Sequence, residues 1–403
     1  MSLDLSKIAA QVGSMAARLR DGIEQRRQHL QQALDILNDE AIDLNELKKK
    51  IALSKTTWLV ADIVDGLNKR YQPPQPPEDF TVIATDGSHI DVDRHQSTRC
   101  YLINIGSVVL SYGDNPNATL DSHPRLYSED EEMVISPPDG IGREQMIEGT
   151  LLGIKRSVEE CRRLADMAKE LPLGVSALAL GDGSLILWGL SSKDCPSFVV
   201  DELLVNGFLR HLENIKNLNK DRALALASYI SFPRSTDVVN TLRVAICPYD
   251  APDCDRYCAN IPSGGRKCDA VAGVRDRDLF SSILSDGERS ALFINQSSIV
   301  NNYYGDHRIY FFYLRVGDEI ARIEIPQWVA MDNKLLGLVH SLVLDQCRRG
   351  QGYPVALSEA HEQAVLTGAD RENFQRLVEL SLAEEHLPVS SSIKSMSKRT
   401  RWV

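Results

Sequence analysis

Two aspartates in this chain have the setting of cation ligands. Asp86 closes the apolar run of residues 80–85 in FTVIATDGS, and Asp182 closes residues 175–181 in VSALALGDGSL. Short runs rich in Val, Ile and Phe, bounded by turn residues, predict buried strands. Asp-Gly alone is a common turn dipeptide. Two copies, each ending a buried-type strand, predict strands that lie side by side and bring both carboxylates to one edge of a sheet. Mg²⁺ and Mn²⁺ prefer carboxylate oxygens. Two such ions about 4 Å apart activate water and stabilise the leaving oxygen in phosphodiester cleavage. That chemistry needs further acidic or imidazole groups at the same point.

Residues 143–170 read as the helix between the two strands, with Ile147, Leu151, Ile154, Val158, Cys161 and Ala165 as its core stripe. A helix feeding a parallel strand runs against it, so its first turns lie near the strands' carboxyl ends. This favours Glu148 as a third carboxylate, with no Lys or Arg four residues away. Glu160 lies about 18 Å further along and has Arg156 as an ion-pair partner. It stays in reserve with Glu144. A last pair comes from GYPVALSEAHEQAV, where Tyr353 precedes Pro354 and His361 falls early in the next helix. Taken singly, each of these residues also fits an ordinary structural role.

At 403 residues, the chain has room for one large domain with additions or for two domains. The formal charge of −11 lowers expectations for a broadly basic nucleic-acid binder, though a local groove with bound cations still fits. The chain contains no apolar run of bilayer length, and its first residues lack a signal-peptide core. Both features predict a cytoplasmic protein with no membrane contact.

Along the chain, residues 1–72 read as an N-terminal helical hairpin or extension, which the stiff PPQPP at 73–77 separates from the catalytic part. Residues 73–385 form the expected catalytic domain, and 386–403 a flexible basic tail. Residues 114–140 read as an acidic loop, and Gly317-Asp318 joins two strands as a hairpin. Within 247–275, an insert carries Cys247, Cys254, Cys258 and Cys268. Their spacing, C-x6-C-x3-C-x9-C, is not that of a zinc ribbon, and metal ligands and plain thiols both remain open.

The two DGS strands, SYISFPRS at 228–235, FFYLRV with IEIPQWV, and GYPVALSEAHEQAV with ADRENF occur in one order over roughly residues 80–375. In these blocks the chain resembles the NurA family of DNA-end-processing nucleases. The resemblance implies an α/β, ribonuclease-H-like mixed sheet flanked by helices. It also implies Mn²⁺-dependent DNA cleavage, with Mg²⁺ as the alternative ion. As partners it implies a homodimer docked on a HerA-type hexameric ATPase that resects broken ends. By matched motif, Asp86 and Asp182 carry over as metal-binding carboxylates. Tyr353 and His361 carry over from the GYP…AH block, His361 as a ligand or acid–base group. Glu148 rests mainly on helix direction, and Arg234 is a candidate phosphate contact. The N-terminal helices and the tail lie outside the matched blocks and are candidate contacts for the ATPase. Two other readings compete. An actin-like or sugar-kinase-like ATPase would need further glycine-rich phosphate loops, and a non-catalytic assembly subunit would have no use for the acidic set.

Overall fold

Thr81, Val82, Ile83 and Thr85 favour extended backbone, and strand β1 runs Phe80–Asp91. The computed structural model describes residues 4–91, 100–140, 142–192, 194–262 and 264–387. β1 pairs antiparallel with β2 (Tyr101–Tyr112), which pairs antiparallel with β3 (Asn117–Tyr127). On the other flank of β1 lies β4 (Ser176–Asp182), in parallel, followed by the parallel β5 (Ala223–Ile230). These five strands take the order 5-4-1-2-3, an antiparallel meander extended by two parallel strands. Parallel neighbours need long crossovers, and the first is the helix α1 (Thr150–Glu170). The result is the mixed, helix-flanked, ribonuclease-H-like sheet expected from the sequence.

α1 starts after Gly149, whose φ of +54° suits a residue without a Cβ. It buries Leu152, Ile154, Val158, Cys161, Leu164, Ala165 and Ala168, and it stops at Leu171 because a residue before proline is pushed out of the helical region. Two later helices complete this part, α2 (Asn333–Arg349) and α3 (Val355–Ala364). Asp332 caps α2 by accepting from Lys334 N at 2.8 Å.

The chain divides into two units. One gathers Met1–Gln72, Ser231–Ser297 and Tyr310–Ile323, and the other Pro73–Ile230, Ser298–Ile309 and Glu324–Val403. The first break falls at the proline-rich linker. Residues 231–297 and 310–323, expected with the catalytic domain, cluster instead with the N-terminal segment. There the helices Ile23–Leu37 and Leu44–Leu53 supply Ala33, Leu37, Leu47 and Ile51 to a core shared with Val238, Leu242 and Phe280, while the preceding helix Leu5–Asp21 stays largely exposed. In the same unit, buried Asp276 accepts from Val238 N at 3.2 Å, Val239 N at 2.8 Å and the Tyr313 hydroxyl at 2.6 Å. It thereby caps the helix Asp237–Ala245 from a distance. The expected basic tail lies almost wholly outside the described residues.

Three expectations need correction. Residues 117–127, read as loop, form a strand that is exposed along most of its length. Its polar residues give no alternation signal, and Pro124 is tolerated because the strand lies at the sheet edge. The helix expected from 143 begins at Thr150, and Gln145–Met146 instead pairs with Val134–Ile135. β1 does not turn at Gly87 but continues to Asp91, paired with β2 throughout.

His211, in the helix Arg210–Leu218, is buried, and burial pushes its pKa down to about 4, with Arg210 adding to the shift. The folded chain therefore holds this imidazole neutral, whereas the unfolded chain protonates it near 6.5. Its contribution is complete above that value and is lost as pH falls toward 4. By pH 5 this histidine should account for about 2 kcal/mol of lost stability. Melting curves from pH 7 to 5 should show a shallower decline for His211→Gln than for the parent. Parallel declines would assign the acid sensitivity elsewhere.

Candidate active site

The register between β1 and β4 sets Thr85 opposite Gly181, so Asp86 and Asp182 are the next residues on two adjacent parallel strands. β4 ends there because Gly183 turns at φ +77° and donates its N–H to the Tyr229 carbonyl at 3.0 Å. Ser184 and Leu185 N both donate to Glu324, at 2.8 and 3.0 Å, which holds the second DGS turn.

Glu160 completes the acidic set; Glu148 does not. The Glu160 carboxyl reaches β1 over Gly87, where an added Cβ would lie 2.5 Å from its Oε1 and 2.9 Å from Arg156 Cγ. Gly87 is thus a gap through which α1 approaches the strand. Burial pushes the Glu160 carboxyl up to about 7; Arg156 opposes that rise, while Asp86 and Asp182 reinforce it. Its Oε1 is buried and faces Arg156 Nε at 3.0 Å without a hydrogen-bond angle. Glu148 precedes the helix, half-buried, and Glu144 accepts from Ser136 at 3.0 Å. Helix direction was read correctly but the lengths were not. β4 has 7 residues and α1 has 21, about 23 Å against about 30 Å. The helix is thus longer than the strand, and its middle packs on β1, where the Thr85 hydroxyl donates to the Glu160 carbonyl at 3.2 Å.

The remaining groups arrive from α3 and the turn before it. His361 Nδ1 lies 2.7 Å from Asp86 Oδ2, and the imidazole is otherwise well exposed. The Tyr353 hydroxyl donates to Asp182 Oδ1 at 3.0 Å, and its ring stands edge-on to Tyr229 at 5.4 Å. Burial, with the neighbouring Asp182 carboxylate, keeps the Tyr353 phenol protonated well beyond its usual range. Asp182 lies at the rim, yet the protein around it raises its pKa, with Asp86 adding and Tyr353 opposing. Gly106, paired with Asp86 across the ladder, admits α3 to the sheet, because a Cβ there would strike the Ala360 carbonyl and lie 2.6 Å from Ala364 N. Asn104 and Ser88 donate to the Ala364 carbonyl and tie down the far end of α3. Gln346 on α2 accepts from Ala356 N at 3.3 Å and ties down its start. Arg234 is exposed in the other unit.

Among the described residues, no group of three His, Cys, Asp or Glu already closes around a metal-sized point. Here each carboxylate has a neighbour instead: His361 on Asp86, Tyr353 on Asp182 and Arg156 on Glu160. Even so, the set suits a hard divalent cation. It offers clustered carboxylate oxygens, two of whose carboxyls have raised pKa values that a cation would reverse, and a buried oxygen without a hydrogen bond.

No curated protein matches the chain. Among solved structures, an Argonaute from A. aeolicus aligns at 10% identity and a TM-score of 0.27, over 72% of this chain and 29% of its own. A second Argonaute structure, from Aquifex aeolicus, gives 10% and 0.27 over 71% and 28%. The prototype foamy virus protease–reverse transcriptase gives 15% and 0.20 over 39% and 19%. The chain thus spans under a third of the length of each, and overlaps this loose leave the fold resting on its own strand order. Among the described residues, no helix is long and apolar enough to cross a membrane. The family model described as the NurA domain matches residues 80–366, more than two thirds of the chain. That span takes in β1, α1, β4 and α3 with Asp86, Glu160, Asp182, Tyr353 and His361, and the chain belongs to the NurA family of nucleases.

Proposed function

We propose that this protein is a divalent-metal-dependent DNA nuclease whose ligands are Asp86, Glu160 and Asp182, with His361 beside them. The observation that carries the reading is the buried approach of Glu160 to two aspartates on adjacent strands. A bound Mn²⁺ or Mg²⁺ would supply Lewis-acid activation of water and charge stabilisation at the leaving oxygen. The chain's own residues prepare that chemistry. Asp86 orients the His361 imidazole through Nδ1, leaving Nε2 facing solvent to bind or to move a proton. Tyr353 fixes one oxygen of Asp182, which leaves the other to take a cation. Arg156 offsets the charge of Glu160 until a cation does so.

The family resemblance supports Mn²⁺ as the working ion, a homodimer, and a HerA-type hexameric ATPase as partner in resecting DNA ends. Cleavage of linear DNA by the purified chain with Mn²⁺, and co-purification with such an ATPase, are the direct tests. Glu160→Gln should lower cleavage by ~10²-fold or more, while Glu148→Gln should stay within about threefold of the parent. Because a ligand must lose its proton, the Glu160 carboxyl near 7 also predicts tighter Mn²⁺ binding as pH rises toward neutrality. Below that value affinity should weaken by up to tenfold per pH unit, read by calorimetric titration. Equal losses in the two glutamine variants would reject this ligand set.

A further inference from the structure

The cysteines of the 247–268 segment are separated by unequal spacings, yet the structure brings them together. Cys254 and Cys258 open and close a short helix, four residues apart and so on one face. Cys247 follows the helix Asp237–Ala245, and Cys268 sits in the 3₁₀ turn Lys267–Val271. All four line one small cavity of about 20 Å³, with Trp58, Arg243 and Tyr249 among the other walls. That is room for one ion or one water. The four are free thiols, all of intermediate exposure, and Cys254 lies within electrostatic reach of the other three.

The surroundings suit bound thiolates. Arg243 Nη2 approaches Cys268 Sγ at 3.8 Å, and its guanidinium stacks over Trp58 at 4.3 Å. Burial raises the Cys254 and Cys258 thiols, and the neighbouring cysteines add to that rise, while the Thr57 backbone and Arg266 respectively oppose it. Such donors offset the double negative charge that four thiolates leave around a divalent ion. The segment also has little apolar core of its own, being held by Lys50 on the Cys247 carbonyl and by Tyr249 stacked on Tyr257 at 4.0 Å. The helix Cys254–Cys258 buries none of its residues. Its backbone ties to the strand-like stretch after the helix Leu44–Leu53, in the same unit, through Lys55 N, which donates to the Pro252 carbonyl at 2.7 Å, and Cys254 N, which donates to the Lys55 carbonyl at 3.0 Å. Loops without a core of their own are commonly stapled by a structural metal.

We propose that Cys247, Cys254, Cys258 and Cys268 form a structural tetrathiolate site for a single Zn²⁺, separate from the carboxylate site and independent of the nuclease reading. The thiols draw inward on binding, and each releases its proton to solvent. The full-length protein, purified without added metal, should carry about one zinc per chain by elemental analysis. A mercurial thiol reagent should release that zinc, and Co²⁺ in its place should show the visible bands of a tetrahedral thiolate centre. Asp86→Asn/Asp182→Asn should keep the zinc, whereas Cys254→Ser/Cys258→Ser should lose it. The wild-type cobalt spectrum reads the site even if the cysteine variant fails to fold. Zinc lost with the aspartates, zinc kept without the cysteines, disulfides among the four, bound iron with sulfide, or four freely reactive thiols on metal-free protein would each overturn the assignment.

Discussion

Asp86→Asn should lose DNA cleavage by at least ~10³-fold while melting at or above the temperature of the parent. The two halves of this result have one origin. Asp86 raises the pKa of both Asp182 and Glu160, so without a cation the three carboxylates repel one another. Removing one charge relieves that repulsion, and the relief is worth on the order of 1 kcal/mol. Asparagine keeps the size of the side chain and a carbonyl oxygen facing His361, so the local packing survives. What it gives up is the charge that a cation needs. Paired measurements of melting and of linear-DNA cleavage with Mn²⁺ check both halves. A variant that cuts as fast as the parent would remove Asp86 from the site.

Gly106→Ala should be among the most damaging single methyls in the unit that holds the site. Its Cβ would strike the Ala360 carbonyl and crowd Ala364 N, both backbone atoms of α3, so no side chain can turn aside to make room. Overpacking against a helix backbone costs about 3 kcal/mol. The helix that must shift also carries His361, so cleavage should fall further than stability alone explains. Gly153→Ala on α1 is the control. It has open space at its Cβ, and replacing glycine inside a helix should stabilise by up to about 1 kcal/mol. Denaturant midpoints for the two variants, with cleavage rates measured well below either transition, separate packing from positioning. Equal midpoints would show that α3 does not rest on Gly106 as described.

The sequence was most informative where local chemistry and local structure coincide. Asp86 and Asp182 each end or interrupt an apolar run, and the structure sets them side by side. Tyr353 lies in the Gly-Tyr-Pro turn and His361 in the helix that follows it, and the two reach Asp182 and Asp86 respectively. Quantities that depend on relative lengths and on tertiary approach were harder to read. Glu160 is marked by the packing of a helix middle on β1 at Thr85 and Gly87, and i,i+4 pairing with Arg156 makes it look like an ordinary surface acid. Gly87 looks like a turn residue, although its use is to let a carboxyl pass a strand that continues. Strand 117–127 carries polar residues on both faces because it closes the sheet, so its pattern resembles a loop. The distribution of residues between the two units was hidden for a similar reason, since contacts between distant segments leave no periodic trace.

That interleaving has a consequence for synthesis on the ribosome. The apolar faces of the first helices, with Ala33, Leu37, Leu47 and Ile51, find their partners in Val238, Leu242 and Phe280. At about 5–20 residues per second, the nascent chain waits on the order of 10–40 s before those partners emerge. During that interval the exposed helices are natural clients for a chaperone.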